Sequence, residues 1–483
     1  LAENTSVRKI EDRTRANLAF VIDTTGPRVD LLVVGHDVIT MNARREIVRD
    51  GAVAIAGDTI VEVSKARDLR ARWPDAAVLG DATTILTPGF VNAHQHLTGD
   101  RLIRSAIPDD LGPGESIFGW AVPIHAAHSA EDDEFSAILS CLEQVTNGVT
   151  TIIEAGTVAH PMSVAAAMRA IGVRGTVGTW GWDVETGPFA APADEVLDRQ
   201  RAVVDALAGD ALLGGAVTLV GHSLMSDELL AGASALARER GVILTFHISP
   251  DASDAAAWLE RAHRRPLVHF DALGALGPHV LLAHAVHLDD AECDIVLSTD
   301  TAIAYTPWAY LRLGQGVSAH GRHARLARAG ARIGLGCDAE NASDALDPLR
   351  VCALAAGIGK DQTMDPTAFG AHDALELATI GGARAVGLAD KIGSIEAGKQ
   401  ADLVVHDTRG PQWVTRAEDP VVQLVWASDG RGVRDVVVAG RVVVRAGQAT
   451  GADLDALRGP AEARKAALLE RAGITARSRW PVV

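Results

Sequence analysis

The apolar and polar positions change rhythm twice along the chain. From Asp30 to Phe90 the apolar runs are short and partly alternating: "DLLVVGHDVITM", "GAVAIAGDTIVEVS" and "AAVLGDATTILTPGF", split by Gly, Asp and Asn. That pattern predicts β-strands with a turn every ~8–12 residues. So few strands cannot close a core of their own.

From Val91 to about Ala389 apolar strand candidates alternate with Ala-, Leu-, Arg- and Glu-rich stretches of helical period, such as "DELLAGASALARERG" and "GRHARLARAGA". Eight strands are predicted, ending near His94, Glu154, Thr179, Val220, His247, His284, Tyr305 and Asp338. The helices stop at glycines, as at Gly172, Gly241 and Gly330. Eight β–α units in succession predict a closed barrel.

From Gly393 the β texture returns. "GSIEAGKQADLVVHD", "VVQLVWASDG" and "VRDVVVAGRVVVRAG" read as hairpin strands. The expected fold class is therefore α/β: a (β/α)8 TIM-like barrel over 89–392, with a small discontinuous β-sandwich built from both chain ends, 29–88 plus 393–450. Residues 1–28 read as a polar N-terminal extension. Acidic residues interrupt its basic stretch, which argues against a secretory signal. Residues 451–483 read as a helical tail.

Composition narrows the function classes. The 483 residues carry a formal net charge of −17, with 48% hydrophobic and 22% charged positions. Nucleic-acid and anionic-membrane surfaces need a basic stripe, so neither partner is expected. No apolar run approaches the ~20 residues of a membrane span. The four cysteines, Cys141, Cys293, Cys337 and Cys352, have no CxxC spacing and read as reduced core thiols of a cytoplasmic enzyme.

Chemistry concentrates at the predicted strand ends, where barrels of this kind place their active sites. Strand one supplies His94 and His96, which share a face at i and i+2. Strand four ends in "TLVGHS" with His222, strand five in "LTFHIS" with His247, strand six in "LLAHAVHL" with His284, and strand eight in "IGLGCDAEN" with Asp338. A lone histidine on an apolar strand is ordinarily a satisfied core residue. Five strand ends bearing His or Asp at one rim are not explained by packing. Neutral imidazoles with a carboxylate suit zinc or a similar first-row metal, which would lower the pKa of a bound water toward 7.

These stretches resemble the amidohydrolase superfamily, in its cytosine-deaminase/chlorohydrolase-like (triazine hydrolase) branch. "LTPGFVNAHQHL" is similar to its first-strand HxH motif, "LLAHAVHLDDAE" to its sixth-strand motif, "YTPWAYLRLGQG" and "LGCDAENASDALDPLR" to its seventh and eighth, and "GSIEAGKQADLVVHD" to the signature of its small β domain. The resemblance covers nearly all of the chain after Asp30. It implies metal ligands His94, His96, His247 and Asp338, with His284 at the metal-bound water or substrate oxygen and His222 at the substrate. It also implies metal-hydroxide attack, with Asp338 taking the proton of the attacking water and His284 stabilising the oxyanion.

Two features depart from that branch. Its ring aminohydrolases carry HxxE after strand five; here "HISPD" puts Pro250 at the glutamate position. Asp251, one residue on, reads equally as a replacement acid and as a cap for the next helix. Binuclear relatives use a lysine on a middle strand, and residues 66–359 contain none. One divalent ion per chain is expected, zinc first, with cobalt, iron or manganese as alternatives. Glu154 reads as a local hydrogen-bonding group.

A missing proton shuttle fits a carbonyl substrate better than a ring. The leading expectation is a hydrolase cleaving a non-peptide C–N bond, or a thiocarbamate C–S bond, in a small apolar amide, urea, carbamate or thiocarbamate. The phenylurea and thiocarbamate hydrolases, agents of xenobiotic degradation, are the nearest type. The alternatives are an aminohydrolase or dechlorinase acting on a purine, pyrimidine or triazine ring, and a catalytically silent barrel serving as a scaffold. Trp120, Trp180, Trp182 and Trp308, with Phe118 and Tyr310, are expected to build an apolar substrate pocket rather than a sugar or nucleotide site. The loop "PDDLGPGESIFGWAVP" reads as a lid, hinged at the glycines flanking Pro113. A homo-oligomer acting on a small molecule is expected.

Overall fold

The computed structural model describes residues 28–483 apart from 99, 100, 105, 113, 185 and 477. Residues 1–27 of the expected N-terminal extension, and Pro113 between the two glycines of the expected hinge, lie outside the described residues. In chain order the strands are β1 (Leu31–Ile39), β2 (Ile47–Ala56), β3 (Thr59–Lys65), β4 (Ala77–Pro88), β5 (Phe90–Gln95), β6 (Val149–Glu154), β7 (Arg174–Val177), β8 (Leu213–Gly215), β9 (Val217–Gly221), β10 (Leu244–Ile248), β11 (Val280–His284), β12 (Ala302–Tyr305), β13 (Ile333–Leu335), β14 (Leu403–Asp407), β15 (Val433–Val438), β16 (Arg441–Arg445) and β17 (Gln448–Ala449).

Both chain ends enter one sheet, in the order β17-β16-β15-β14-β4-β1-β2-β3. The junction is β4 with β14, antiparallel, with Leu403 opposite Pro88. The expected sandwich is thus one continuous sheet, curled on itself. Thr59 on edge strand β3 bridges Gln400 just ahead of β14, and the Ile60 N–H donates to the Lys399 carbonyl at 2.8 Å. Curling lets a single sheet enclose its own core, formed by Val33, Val53, Leu86, Leu403 and Val437 among others.

One element differs in kind. "PVVQLVWA" is a helix, Pro420–Ala427, rather than a strand. Asp419 accepts from the Val421 and Val422 N–H groups, and Pro420 occupies the first turn, where its missing N–H costs nothing.

The central segment alternates strand and helix. Gly172 and Gly241 end helices in the left-handed conformation, at φ +88° and +64°. Its strands form two parallel arcs, β5-β6-β7-β8 and β9-β10-β11-β12-β13. The arcs share one stretch of chain: β8 runs into β9 through Ala216, whose N–H donates to the Val177 carbonyl at 3.0 Å. At the other seam no ladder joins β13 to β5 among the described residues. There the Asp338 N–H donates to the His94 carbonyl at 3.0 Å, and the Cys337 N–H to Asn92 Oδ1 at 3.0 Å.

Gly89 joins the curled sheet to β5. A Cβ there would lie 2.1 Å from Thr150 Oγ1, so glycine is required by close approach to β6 rather than by a bend. The four cysteines are free and buried. Among the described residues no helix is long and apolar enough to cross a membrane.

Candidate active site

The strand ends bring the expected residues together. His94, His96 and His247 each offer a ring nitrogen within 4.8 Å of the others, and the ligand atoms of His94, His284 and Asp338 lie equally close. His96 Nε2 sits 3.2 Å from His247 Nε2 and 3.4 Å from Asp338 Oδ1. His94 Nε2 is 3.6 Å from the same carboxylate oxygen, and His284 Nδ1 is 3.9 Å from Oδ2. All five side chains are buried.

Outer contacts orient the rings. His247 Nδ1 lies 2.7 Å from the Val220 carbonyl, which accepts only from an N–H. That assigns the proton to Nδ1 and leaves the Nε2 lone pair facing the cluster. His96 Nδ1 meets Thr157 Oγ1 at 2.7 Å, which fixes the ring and turns Nε2 toward the cluster. The His284 carbonyl accepts from His323 Nε2 at 2.7 Å. Thr157 and His323 have no signature in the sequence that marks them as supports.

The backbone at this rim departs from ordinary strand geometry. His222, Ser249, His284, Ala285 and Asp338 all have positive φ, between +47° and +75°. Left-handed backbone in residues bearing a Cβ is costly and concentrates at functional sites. Gly336, two residues before Asp338, admits β5 closely: a Cβ there would sit 3.0 Å from His94 Cβ.

Burial holds the His96, His247 and His284 imidazoles neutral. It pushes His96 down to about 4, with His94 adding to the effect, and His284 down to about 3 against the pull of Asp338. His247 lies well below its usual value for the same reason, reinforced by the neighbouring rings. Burial alone would raise Asp338, but the His94, His284 and His96 rings around it hold its carboxyl well below the usual range. Neutral imidazoles and an ionised carboxylate are the forms that ligate a cation. Both ring nitrogens of His94 are buried without a hydrogen-bond partner, a costly arrangement that a bound ion would relieve. The donor set fits a single divalent metal.

The cluster opens into a cavity of about 450 Å³. His222, Asp251, Trp180, Trp182 and Phe118 lie on its wall, as the sequence suggested. Trp180 stacks face to face on Phe189 at 4.4 Å. Trp120 and Trp308 do not line it. Trp120 packs with Leu102, Ile103 and Leu468, where the C-terminal helix Leu454–Arg471 covers the loop after β5. Trp308 lies under the Arg350 guanidinium at 4.2 Å. Tyr310 is buried behind His284, and its hydroxyl accepts the Thr306 N–H at 3.0 Å. Trp120 sits on the helical turn Glu115–Ala121, and Trp308 and Tyr310 on the helix Pro307–Arg312; elements so short show no period that marks which way a side chain faces.

Asp251 caps the helix Ala252–Ala262, accepting from the Ser253 N–H at 2.9 Å and Ser253 Oγ at 2.5 Å, and also borders the cavity. Two wall residues were missed in sequence. Asp254, one helical turn on, is buried; it accepts the Ser249 N–H at 2.5 Å and faces His222 Nδ1 at 3.7 Å. Burial opposes charge on His222, but the facing Asp254 carboxylate, aided by Asp251, raises its pKa overall. His125, from "VPIHAAHS", is also buried on the wall, edge-on to Trp180 at 5.2 Å. Glu154 accepts from the Gly156 N–H at 2.7 Å and stays outside the ligand clusters.

Comparison with known proteins agrees with this geometry. The matching family description is "Amidohydrolase family", over residues 85–443. A 5-methylthioadenosine/S-adenosylhomocysteine deaminase of Syntrophobacter fumaroxidans is 30% identical over 417 residues, covering 86% of this chain and 93% of that protein. Among solved structures, a zinc-bound adenosine deaminase from Xanthomonas campestris is similar with a TM-score of 0.87 and 27% identity, covering 92% of this chain and 100% of that one. The zinc complex of atrazine chlorohydrolase from Arthrobacter aurescens shares the fold at a TM-score of 0.80 and 23% identity, covering 91% of this chain and 100% of that one.

Proposed function

The chain belongs to the amidohydrolase family, a TIM-like barrel with a separate β domain, and on that premise we propose that it is an aminohydrolase that removes the amino group of a heteroaromatic ring, with an aminopurine nucleoside as the substrate class. Kinship to deaminases over most of the chain carries this reading. It displaces the urea and thiocarbamate expectation, and it moves the substrate from a sugar-free molecule to a nucleoside. We take residues 29–88 plus 393–450 as the β domain, 89–392 as the catalytic barrel and 451–483 as the tail. We also infer a cytoplasmic homo-oligomer; the four buried free thiols support a reducing compartment.

His94, His96, His247 and Asp338 would hold the metal, zinc by the chemistry of the donors. When bound, such an ion supplies a water that is nucleophilic at neutral pH. The chain's own residues do the rest. Asp338, held ionised, accepts the proton of the attacking water. His284, neutral and against Asp338, donates or accepts a hydrogen bond at the reacting centre. His222, with Nδ1 committed to Asp254, has Nε2 left for the substrate. Pro250 has no proton to give to a ring nitrogen. Apart from Asp338, the carboxylates on the wall among the described residues are Asp251 and Asp254. Asp254 is buried against Ser249 and His222, so Asp251 is assigned to pass on to the ring nitrogen the proton released by the attacking water.

Pro250 is also the observation that favours a second reading, hydrolysis at an acyclic carbonyl, where no ring nitrogen needs a proton. One experiment separates the two. Zinc-loaded enzyme is given amino-substituted purines, pyrimidines and triazines in one panel, and N-substituted ureas, amides and thiocarbamates in another, each with and without chelator. Chelator-sensitive ammonia from the first panel supports the aminohydrolase. A substituted amine or thiol from the second panel alone overturns it.

A further inference from the structure

A second cavity, of about 260 Å³, adjoins the first and shares Phe118, Val122, Trp182 and Leu224 with it as common wall. Its remaining lining is Pro123, Val184, Thr186, Gly187 and Pro188. No charged side chain borders it among the described residues. We infer that this side cavity is a substrate subsite, and that it takes an uncharged, apolar substituent carried on the part of the substrate remote from the reacting ring. The inference rests on the aminohydrolase reading: with the ring at the metal cluster, the remote part of the substrate lies toward Trp182 and Leu224, which border both cavities.

The charges around the main cavity point the same way. The carboxylates on its wall are Asp251, Asp254 and Asp338, and no arginine or lysine lies on it among the described residues. Nearby guanidinium groups are committed elsewhere. Arg261 lies 4.7 Å over the Trp258 ring and donates to the Ser223 carbonyl at 3.1 Å. Arg265 pairs with Asp289 and Glu292 at 3.0 and 2.7 Å. Arg199 donates to the Phe189 carbonyl at 3.3 Å. On the wall, the Asp254 carboxylate faces His222 Nδ1 at 3.7 Å. A carboxylate entering here would lose its hydration without gaining a cation. A thioether or alkyl tail would gain burial against Trp182, Phe118 and Leu224.

The two substrates in the name of the deaminase relative differ in this respect. Both are adenosine thioethers, but one ends in a methyl group and the other in an amino-acid zwitterion. The test is a series at fixed ring and ribose: adenosine, 5′-methylthioadenosine, 5′-propylthioadenosine and S-adenosylhomocysteine. Ammonia release and calorimetric binding are both measured. The expected result is a rise in kcat/KM of about fourfold per added methylene. The zwitterionic tail is expected to cost at least about 100-fold relative to propylthio. Leu224→Arg should narrow that gap at least about tenfold, as should Val184→Arg if the first variant fails to fold.

Equal or better use of S-adenosylhomocysteine overturns the subsite and leaves the aminohydrolase standing. Absence of ammonia from every member, with tighter binding of the propylthio compound retained, overturns the aminohydrolase and keeps the subsite. No binding by any member overturns both.

Discussion

His222 Nδ1 lies 3.7 Å from Asp254 Oδ2, and Asp254 is itself fixed by the Ser249 N–H. The strand-four histidine is thus held by the first turn of the helix that follows strand five. This pairing raises the His222 pKa despite burial. Any activity that needs charged His222 is present at low pH and lost as pH rises through that raised value. Asp254→Asn keeps an acceptor for Ser249 but removes the charge. It is expected to lower kcat/KM about 10- to 100-fold and to move the alkaline limb of its pH profile downward. An alkaline limb that stays in place would show that Asp254 acts on packing alone.

Asp251 occupies two roles that a single substitution can separate. Serine is as good an N-cap as aspartate, so Asp251→Ser should leave stability within about 0.5 kcal/mol. Removing a proton donor should lower kcat about 100-fold or more. A serine variant with native turnover would make Asp251 a cap and nothing else. Asp251→Ala should cost about 1 kcal/mol in addition.

The two outcomes trace back to how far each kind of signal reaches in a sequence. His94, His96, His247 and His284 were legible because short apolar runs fix where strands end, and chemistry in this fold sits at those ends. The helix Pro420–Ala427 was misread because "VVQLVW" has too few polar positions to show a period; its Asp-Pro start was the available cue. Asp254 was available too, three residues past Asp251 and so one helical turn away, on the same face. His125, Trp120 and Trp308 lie on short helical turns, Val122–Ala126, Glu115–Ala121 and Pro307–Arg312, each too brief to show a period. There, only the tertiary fold decides which side chain turns inward.

The ligand cluster has a stoichiometric consequence. After dialysis the enzyme should retain one divalent ion per chain, and His247→Ala should reduce that to a small fraction, read by elemental analysis. Asp338→Asn should keep the fold, bind metal more weakly, and lose about 10³-fold or more in kcat when fully loaded. A near-native rate in the loaded Asn variant would remove Asp338 from the reaction. A second retained ion would contradict the mononuclear reading.

Glu154 ties stability to pH in a direction opposite to most carboxylates. It is fully buried at the end of β6, with Oε1 unpartnered. Burial pushes its pKa up to about 8, against the pull of the Gly156, Gly178 and Thr157 N–H groups. Between the unfolded value near 4.5 and the folded value near 8, the native state therefore binds a proton that the unfolded state has released. Stability from this residue falls as pH rises across that window, and the fall ends where the native carboxyl also ionises. Glu154→Gln keeps the shape and the acceptor but cannot ionise. Denaturant midpoints of the two proteins should diverge from pH 5 to pH 8, the glutamine variant gaining on the native protein by a few kcal/mol at most. Parallel midpoints across that range would mean that Glu154 is already charged in the folded protein, with its orphaned oxygen served by a partner other than its own proton.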